Sequence, residues 1–190
     1  MKEGVIRLFD VCRNGTHVLG PGLRYVIWVQ GCHRHCKGCV TPESRPFTNG
    51  IEIDIRALAL DILSKETIDG ITISGGEPFL QAKGLSQLLT YVLRQKPELT
   101  VIVYTGYKIE ELTNIADADK LLRQTDILID GEYVEDLNDG KGIRGSSNQR
   151  VLPISHRLDS FIHVMESGRR YQERIASDES TFTIVGIPKL

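Results

Sequence analysis

Uninterrupted apolar runs alternate along this chain with segments whose apolar positions recur every three or four residues. RYVIWVQ, residues 24–30, is rich in β-branched and aromatic side chains and reads as a buried strand. GITIS (70–74), TVIVYTG (100–106) and DILIDGEY (126–133) repeat that character. Between the first two runs, Ile55, Leu58, Ala59, Ile62 and Leu63 share one helical face, and Asp54 stands where a side chain caps a helix start. Leu85, Leu88, Leu89, Val92 and Leu93 mark a second helix, ended by Pro97. KIEELTNIADADKLLRQT (108–125) predicts a third, in one or two pieces. Residues 5–25 read as one or two strands and a glycine-proline turn. After Tyr133 the pattern weakens: residues 137–150 are a glycine- and serine-rich loop, and STFTIVGIP (180–188) predicts a last strand.

Strand–helix alternation with continuously apolar strands predicts an α/β fold of parallel βα units. An eightfold βα barrel takes about 250 residues, and this chain has 190. That leaves a doubly wound sheet or an incomplete barrel, in one domain over residues 1–190. Residues 1–23 form an N-terminal extension, 24–152 the core and 153–190 a C-terminal tail. In either architecture, chemistry belongs at the C-terminal strand ends. The loop after residue 30, SGGEP, YTGY and DGEY all fall there, and four unusual loops on one rim imply one site.

Charge adds an exclusion. Against 25 Asp and Glu stand 23 Lys and Arg, a net −2, which speaks against direct nucleic-acid binding through bulk positive charge. The opening MKEGVIRLFD does not read as a secretory signal, and no apolar run reaches membrane-spanning length. A cytoplasmic protein without a membrane partner is expected, so clustered cysteines point to metal ligation or a catalytic thiol rather than disulfides.

Cys32, Cys36 and Cys39 form C-x3-C-x2-C within one polar loop. Three thiolates suit a soft metal or an iron–sulfur cluster, and a four-iron cluster on three thiolates keeps one iron open for an external ligand. Structural zinc is the alternative, using His33, His35 or the distant Cys12 as a further ligand. His33 and His35 read better as solvated loop residues, and Cys12 as a small buried hydrophobe. In SGGEP, Gly75 and Gly76 allow backbone to approach a ligand and Pro78 fixes the exit; an ordinary strand-to-helix turn is the plainer reading. His156 and His163 yield no functional reading.

C-x3-C-x2-C after a strand, with SGGEP at the next strand end, resembles the radical S-adenosylmethionine (SAM) enzymes. The resemblance implies an incomplete βα barrel with parallel strands. It implies a [4Fe-4S] cluster on Cys32, Cys36 and Cys39, and SAM bound at the open iron. Gly75, Gly76, Glu77 and Pro78 would then meet the SAM amino group. Gly38 and Val40, flanking the third cysteine, would lie beside the cofactor. Many family members carry an aromatic residue where this chain has Gly38, so another residue must pack on the adenine. Tyr104, Thr105 and Asp130 fall where ribose or methionine contacts are expected, unless Asp130 only caps the next segment.

GPGLR (20–24), YTGYKIEEL (104–112) and DILIDGEYVEDL with IRGSSNQR narrow the resemblance to activators of glycyl-radical enzymes, those serving anaerobic ribonucleotide reductase above all. The implied partners are that glycyl-radical enzyme and a flavodoxin or ferredoxin electron donor. Residues 144–150 would frame the partner's entrance, with Arg144 and Arg150 as charged contacts, or merely close the sheet edge. The tail would add an edge strand or cover the site. GRRYQER (168–174) reads as a basic partner surface or a solvated helix. Alternatives are a radical SAM enzyme acting on another peptide or a small molecule, and a non-catalytic zinc or iron–sulfur interaction module.

Overall fold

A seven-stranded mixed sheet forms the centre of the protein. The structure, a computed structural model, describes residues 4–168, 171–176 and 182–188. The elements run β1 (Val5–Thr16), β2 (Arg24–Val29), β3 (Ile51–Asp54), α1 (Ile55–Leu63), β4 (Gly70–Gly75), α2 (Ala82–Leu93), β5 (Thr100–Tyr104), α3 (Ala118–Leu122), β6 (Ile127–Asp130), β7 (Arg150–Pro153), α4 (Ile162–Ser167), β8 (Glu173–Ala176) and β9 (Phe182–Val185). The sheet order is β3-β1-β2-β4-β5-β6-β7, with β8 and β9 as a separate hairpin.

The expected parallel arrangement holds for β2, β4, β5 and β6. It is corrected at both margins, where β1, β3 and β7 pair antiparallel. β3 and β7 escape the sequence pattern because each is an edge strand of only four residues, too short to show a period. The N-terminal stretch is one strand, with breaks in register between Leu8 and Asp10 and between Cys12 and Thr16. The third helical segment is split, as a 3-10 turn (Ile109–Asn114) and α3, with Asp117 at φ 61° between them. The Asp54 carboxylate caps α1 by accepting from the N–H groups of Arg56 and Ala57. Among the described residues no helix is long and apolar enough to cross a membrane.

The two sheet faces differ in cover. Tyr25, Ile27, Ile71, Ile73, Val101 and Val103 point toward α1, α2 and α3 in the main core. Neighbours one position away point to the opposite face, because side chains alternate along a strand. Ile102, Ile127 and Ile129 pack there with Val151, Leu158 and Met165. Val26 packs with Cys12, Leu19 and Val185 of the tail hairpin.

GPGLR closes the sheet at the N-terminal strand ends. Arg24 is wholly buried. Its guanidinium donates to Thr72 Oγ1 (2.6 Å), Pro21 O, Thr100 Oγ1, Ile71 O (2.7 Å) and Thr100 O (2.9 Å). Burial lowers its pKa to about 10, so it stays charged at neutral pH. With one rim stitched shut by an arginine, the open end is the other.

Candidate functional site

β2 ends at Val29, and the following residues are folded back into a closed loop. Gly31 N–H donates to Ser44 O (2.7 Å) and Cys32 N–H to Arg45 O (2.9 Å). Gln30 Nε2 donates to Glu43 O and Pro46 O, clamping the loop's return. Cys32, Cys36 and Cys39 are each half-buried and free of disulfides, and all three line one cavity of about 400 Å³. Burial raises the Cys32 thiol pKa, and burial followed by the charge of Glu132 pushes Cys36 to about 11. Such thiols need a nearby cation to persist as thiolates at neutral pH.

The two glycines after β4 serve the backbone. A Cβ on Gly76 would sit 2.4 Å from Gly31 O, and one on Gly75 2.5 Å from Val29 N. Without them, Gly76 N–H donates to Val29 O (2.8 Å) and Glu77 N–H to Gly31 O (2.8 Å), fastening the β4 end to the start of the cysteine loop. Glu77 ties in a third loop. Its buried carboxylate accepts from Phe79 N–H (3.0 Å), Thr105 Oγ1 (2.8 Å) and Gly106 N–H (2.8 Å). Burial raises its pKa to about 7 against those three bonds. Thr105 N–H in turn donates to Ile129 O (2.8 Å).

Of the residues expected at the site, Cys32, Cys36, Cys39, Val40, Tyr104 and Thr105 line the cavity, as do Gly75, Gly76 and Glu77. Gly38, Pro78 and Asp130 are not part of that lining. Gly38 has φ +69°, and a Cβ there would lie 2.3 Å from Glu135 Oε1, so its place is a tight turn against Glu135. Pro78 is buried at the start of the 3-10 turn Pro78–Gln81. Asp130 is fully buried; its oxygens accept from Ile109 N–H and Arg150 Nε (both 2.8 Å). Asp130 thus holds the start of the preceding 3-10 turn Ile109–Asn114 and pairs with Arg150, rather than capping the segment that follows it.

The expected partner arginines are also committed internally. Arg150 bridges Asp130 and Glu110, and Arg144 reaches Asp139 and Ser147 O. The surrounding RGSSNQR segment works as a latch on the DGEY loop. Gln149 Nε2 donates to Gly131 O (2.7 Å), Asn148 Nδ2 to Glu132 O (2.8 Å), and Ser146 Oγ accepts from Val134 N–H (3.1 Å). The latched loop carries Glu132 and Tyr133 against Cys36. Arg169 and Arg170 of GRRYQER lie outside the described residues.

Several lining residues gave no signal in the sequence. Trp28 and Tyr133 add aromatic surface, and Arg34 and Arg45 add positive charge. Arg34 stacks over Tyr107 at 4.6 Å and pairs with Glu111 and Glu132. Arg45 contacts His35 through Nη2, while its Nε is buried without a hydrogen-bond partner. From the tail come Gln172, Thr183, Ile184, Gly186, Ile187 and Pro188. Trp28, Thr183 and Ile184 lie on strands, whereas the others arrive through loops with no period.

Among the described residues, no three His, Cys, Asp or Glu side chains converge on one point as a single-ion site requires. His33 lies against Phe47, ring centroids 4.7 Å apart, and Cys12 packs in the cluster of Leu19, Val26 and Val185. Three soft donors spread around one cavity, with a cation holding an unused donor, suit a multi-atom iron–sulfur group better than a lone ion.

Comparison with known proteins agrees with that chemistry. A family model described as a 4Fe-4S single cluster domain matches residues 18–152. The anaerobic ribonucleoside-triphosphate reductase-activating protein of Enterobacteria phage T4 is 34% identical over 138 residues, 70% of this chain and 86% of its own. The protein of that name from Escherichia coli (strain K12) is 37% identical over 144 residues, 70% of this chain and 90% of its own. That from Haemophilus influenzae is 34% identical over 146 residues, 70% and 88% of the two chains.

Proposed function

Because this chain belongs to the family of anaerobic ribonucleoside-triphosphate reductase-activating proteins and carries their 4Fe-4S single cluster domain, we propose that it is a radical SAM enzyme that installs a glycyl radical on an anaerobic ribonucleotide reductase. When bound, a [4Fe-4S] cluster and SAM supply one-electron cleavage of SAM to a 5′-deoxyadenosyl radical able to take a hydrogen atom from glycine. The observation that carries this reading is the gathering of Cys32, Cys36 and Cys39 with Gly75 and Gly76 around one cavity. Helices cover the opposite sheet face, which supports the incomplete barrel that the resemblance implies.

The protein's own residues would act in four ways. Cys32, Cys36 and Cys39 hold the cluster. The backbone at Gly75 and Gly76, fixed to the cysteine loop, offers acceptors to an amino group. Arg45 sets a positive charge and a spare Nε–H beside the anionic groups. Trp28, Tyr104 and Tyr133 present the aromatic surface that Gly38 lacks. A flavodoxin or ferredoxin would deliver the electron, in the cytoplasm.

The test is anaerobic reconstitution with iron and sulfide, then incubation with dithionite, SAM and the reductase encoded in the same genome. Deoxyadenosine should form, and a glycyl-radical doublet should appear on the reductase. Tightly bound zinc without SAM cleavage would favour an interaction module. Deoxyadenosine without the doublet would leave radical SAM chemistry directed at another substrate.

A further inference from the structure

We propose that the C-terminal segment, at residues 171–176 and 182–188, is a specificity surface that contacts the glycine-bearing loop of the substrate protein at the mouth of the cavity. The inference rests on the function proposed above and adds where the partner is read.

Thr183, Ile184, Gly186 and Pro188 line the same cavity as the three cysteines. Any polypeptide that brings a glycine into that cavity meets them. The segment is held as a wall by the rest of the protein. Val185 and Ile175 pack on Cys12, Leu19 and Val26. The Glu173 carboxylate accepts from Thr16 Oγ1 (2.5 Å) and His17 N–H (3.0 Å). Asn138 Nδ2 donates to Pro188 O (3.2 Å).

Alternation on β9 turns Val185 inward and leaves Phe182 and Ile184 52% and 56% exposed. The hairpin's outer face therefore carries Phe182 and Ile184 with Arg174 beside them, and through Ile184 it is continuous with the cavity wall. Arg174 lies over the Phe182 ring at 3.9 Å, holding it in place. An extended segment with apolar side chains flanking its glycine fits this surface, its backbone at the cavity and its side chains on β9.

The placement outside the family match supports a discriminating role. The match stops at residue 152. The relatives align over 70% of this chain but 86 to 90% of their own length. The family match takes in the cysteine loop, while this part of the cavity wall lies beyond it. Differences at a mouth, with the interior kept, change which partner fits rather than which reaction occurs.

Hydrogen–deuterium exchange on the full-length, cluster-loaded protein tests this directly. Adding the anaerobic ribonucleoside-triphosphate reductase should slow exchange in residues 182–185 by at least about fivefold. Phe182→Glu should weaken reductase binding about tenfold while iron content and SAM affinity stay as in the unaltered protein. Protection confined to other faces, or unchanged reductase affinity in the variant, would overturn the inference. So would protection that rises with protein concentration without reductase, since a second copy would then be the occupant. Should the unaltered protein fail to cleave SAM, the proposed function falls, and this inference with it. SAM cleavage with an unprotected tail removes the inference alone.

Discussion

Among the described residues, Arg45 is a cation of the cavity whose Nε has no hydrogen-bond partner, and its charge is one that an added electron on a neighbouring cluster would feel. Removing a positive charge disfavours reduction, so Arg45→Gln should lower the cluster's midpoint potential by about 50 mV, the one-electron equivalent of about 1 kcal/mol. A redox titration followed by electron paramagnetic resonance reads the shift, and an unchanged potential would remove Arg45 from that role. The cysteines separate just as sharply. Cys36→Ala should abolish iron retention. Cys12→Ala should keep it and cost about 1 to 2 kcal/mol of stability from the small buried gap beside Leu19 and Val26. Iron assays and urea unfolding on the two variants distinguish the roles. The three ligand candidates were legible because their spacing lies within one loop. The work of Glu77 was not, because its partners Thr105 and Gly106 stand 28 and 29 residues away.

Elements hold the site by bracing rather than by contact. The RGSSNQR latch grips the DGEY backbone from Ser146, Asn148 and Gln149, and that loop leans on Cys36. Gln149→Ala should leave Gly131 O without its donor and speed amide exchange across residues 131–134. About 1 to 3 kcal/mol of local stability is at stake. Unchanged exchange there would show that the latch is redundant. At the opposite rim, Arg24→Leu strands carbonyl and hydroxyl acceptors of β4 and β5 in a buried setting. A global loss of about 3 kcal/mol in chemical denaturation is expected, since bonds to a buried charge are worth more than neutral ones. The parallel strands β2, β4, β5 and β6 were readable as continuous apolar runs because both faces are covered. The edge strands β3 and β7 were not, as four residues are too few to show a period.

At the scale of the whole molecule, the sheet sorts structure from chemistry. Helices α1, α2 and α3 occupy one face, and the cavity opens on the other, where β2, β4, β5 and β6 end and the tail hairpin closes a side. Sequence pattern identified the rim, because loops at C-terminal strand ends converge in any parallel α/β sheet. It left the tail between an edge strand and a cover for the site, because the tail pairs only within its own hairpin and meets the cavity by tertiary packing. The central claim is a cluster held by Cys32, Cys36 and Cys39 whose remaining coordination position faces this cavity. Electron paramagnetic resonance of the reconstituted, dithionite-reduced protein, recorded with and without SAM, tests it most directly. The account predicts a reduced [4Fe-4S] signal whose g-values move when SAM is added. Superimposable spectra from cluster-loaded protein, with and without SAM, would contradict it.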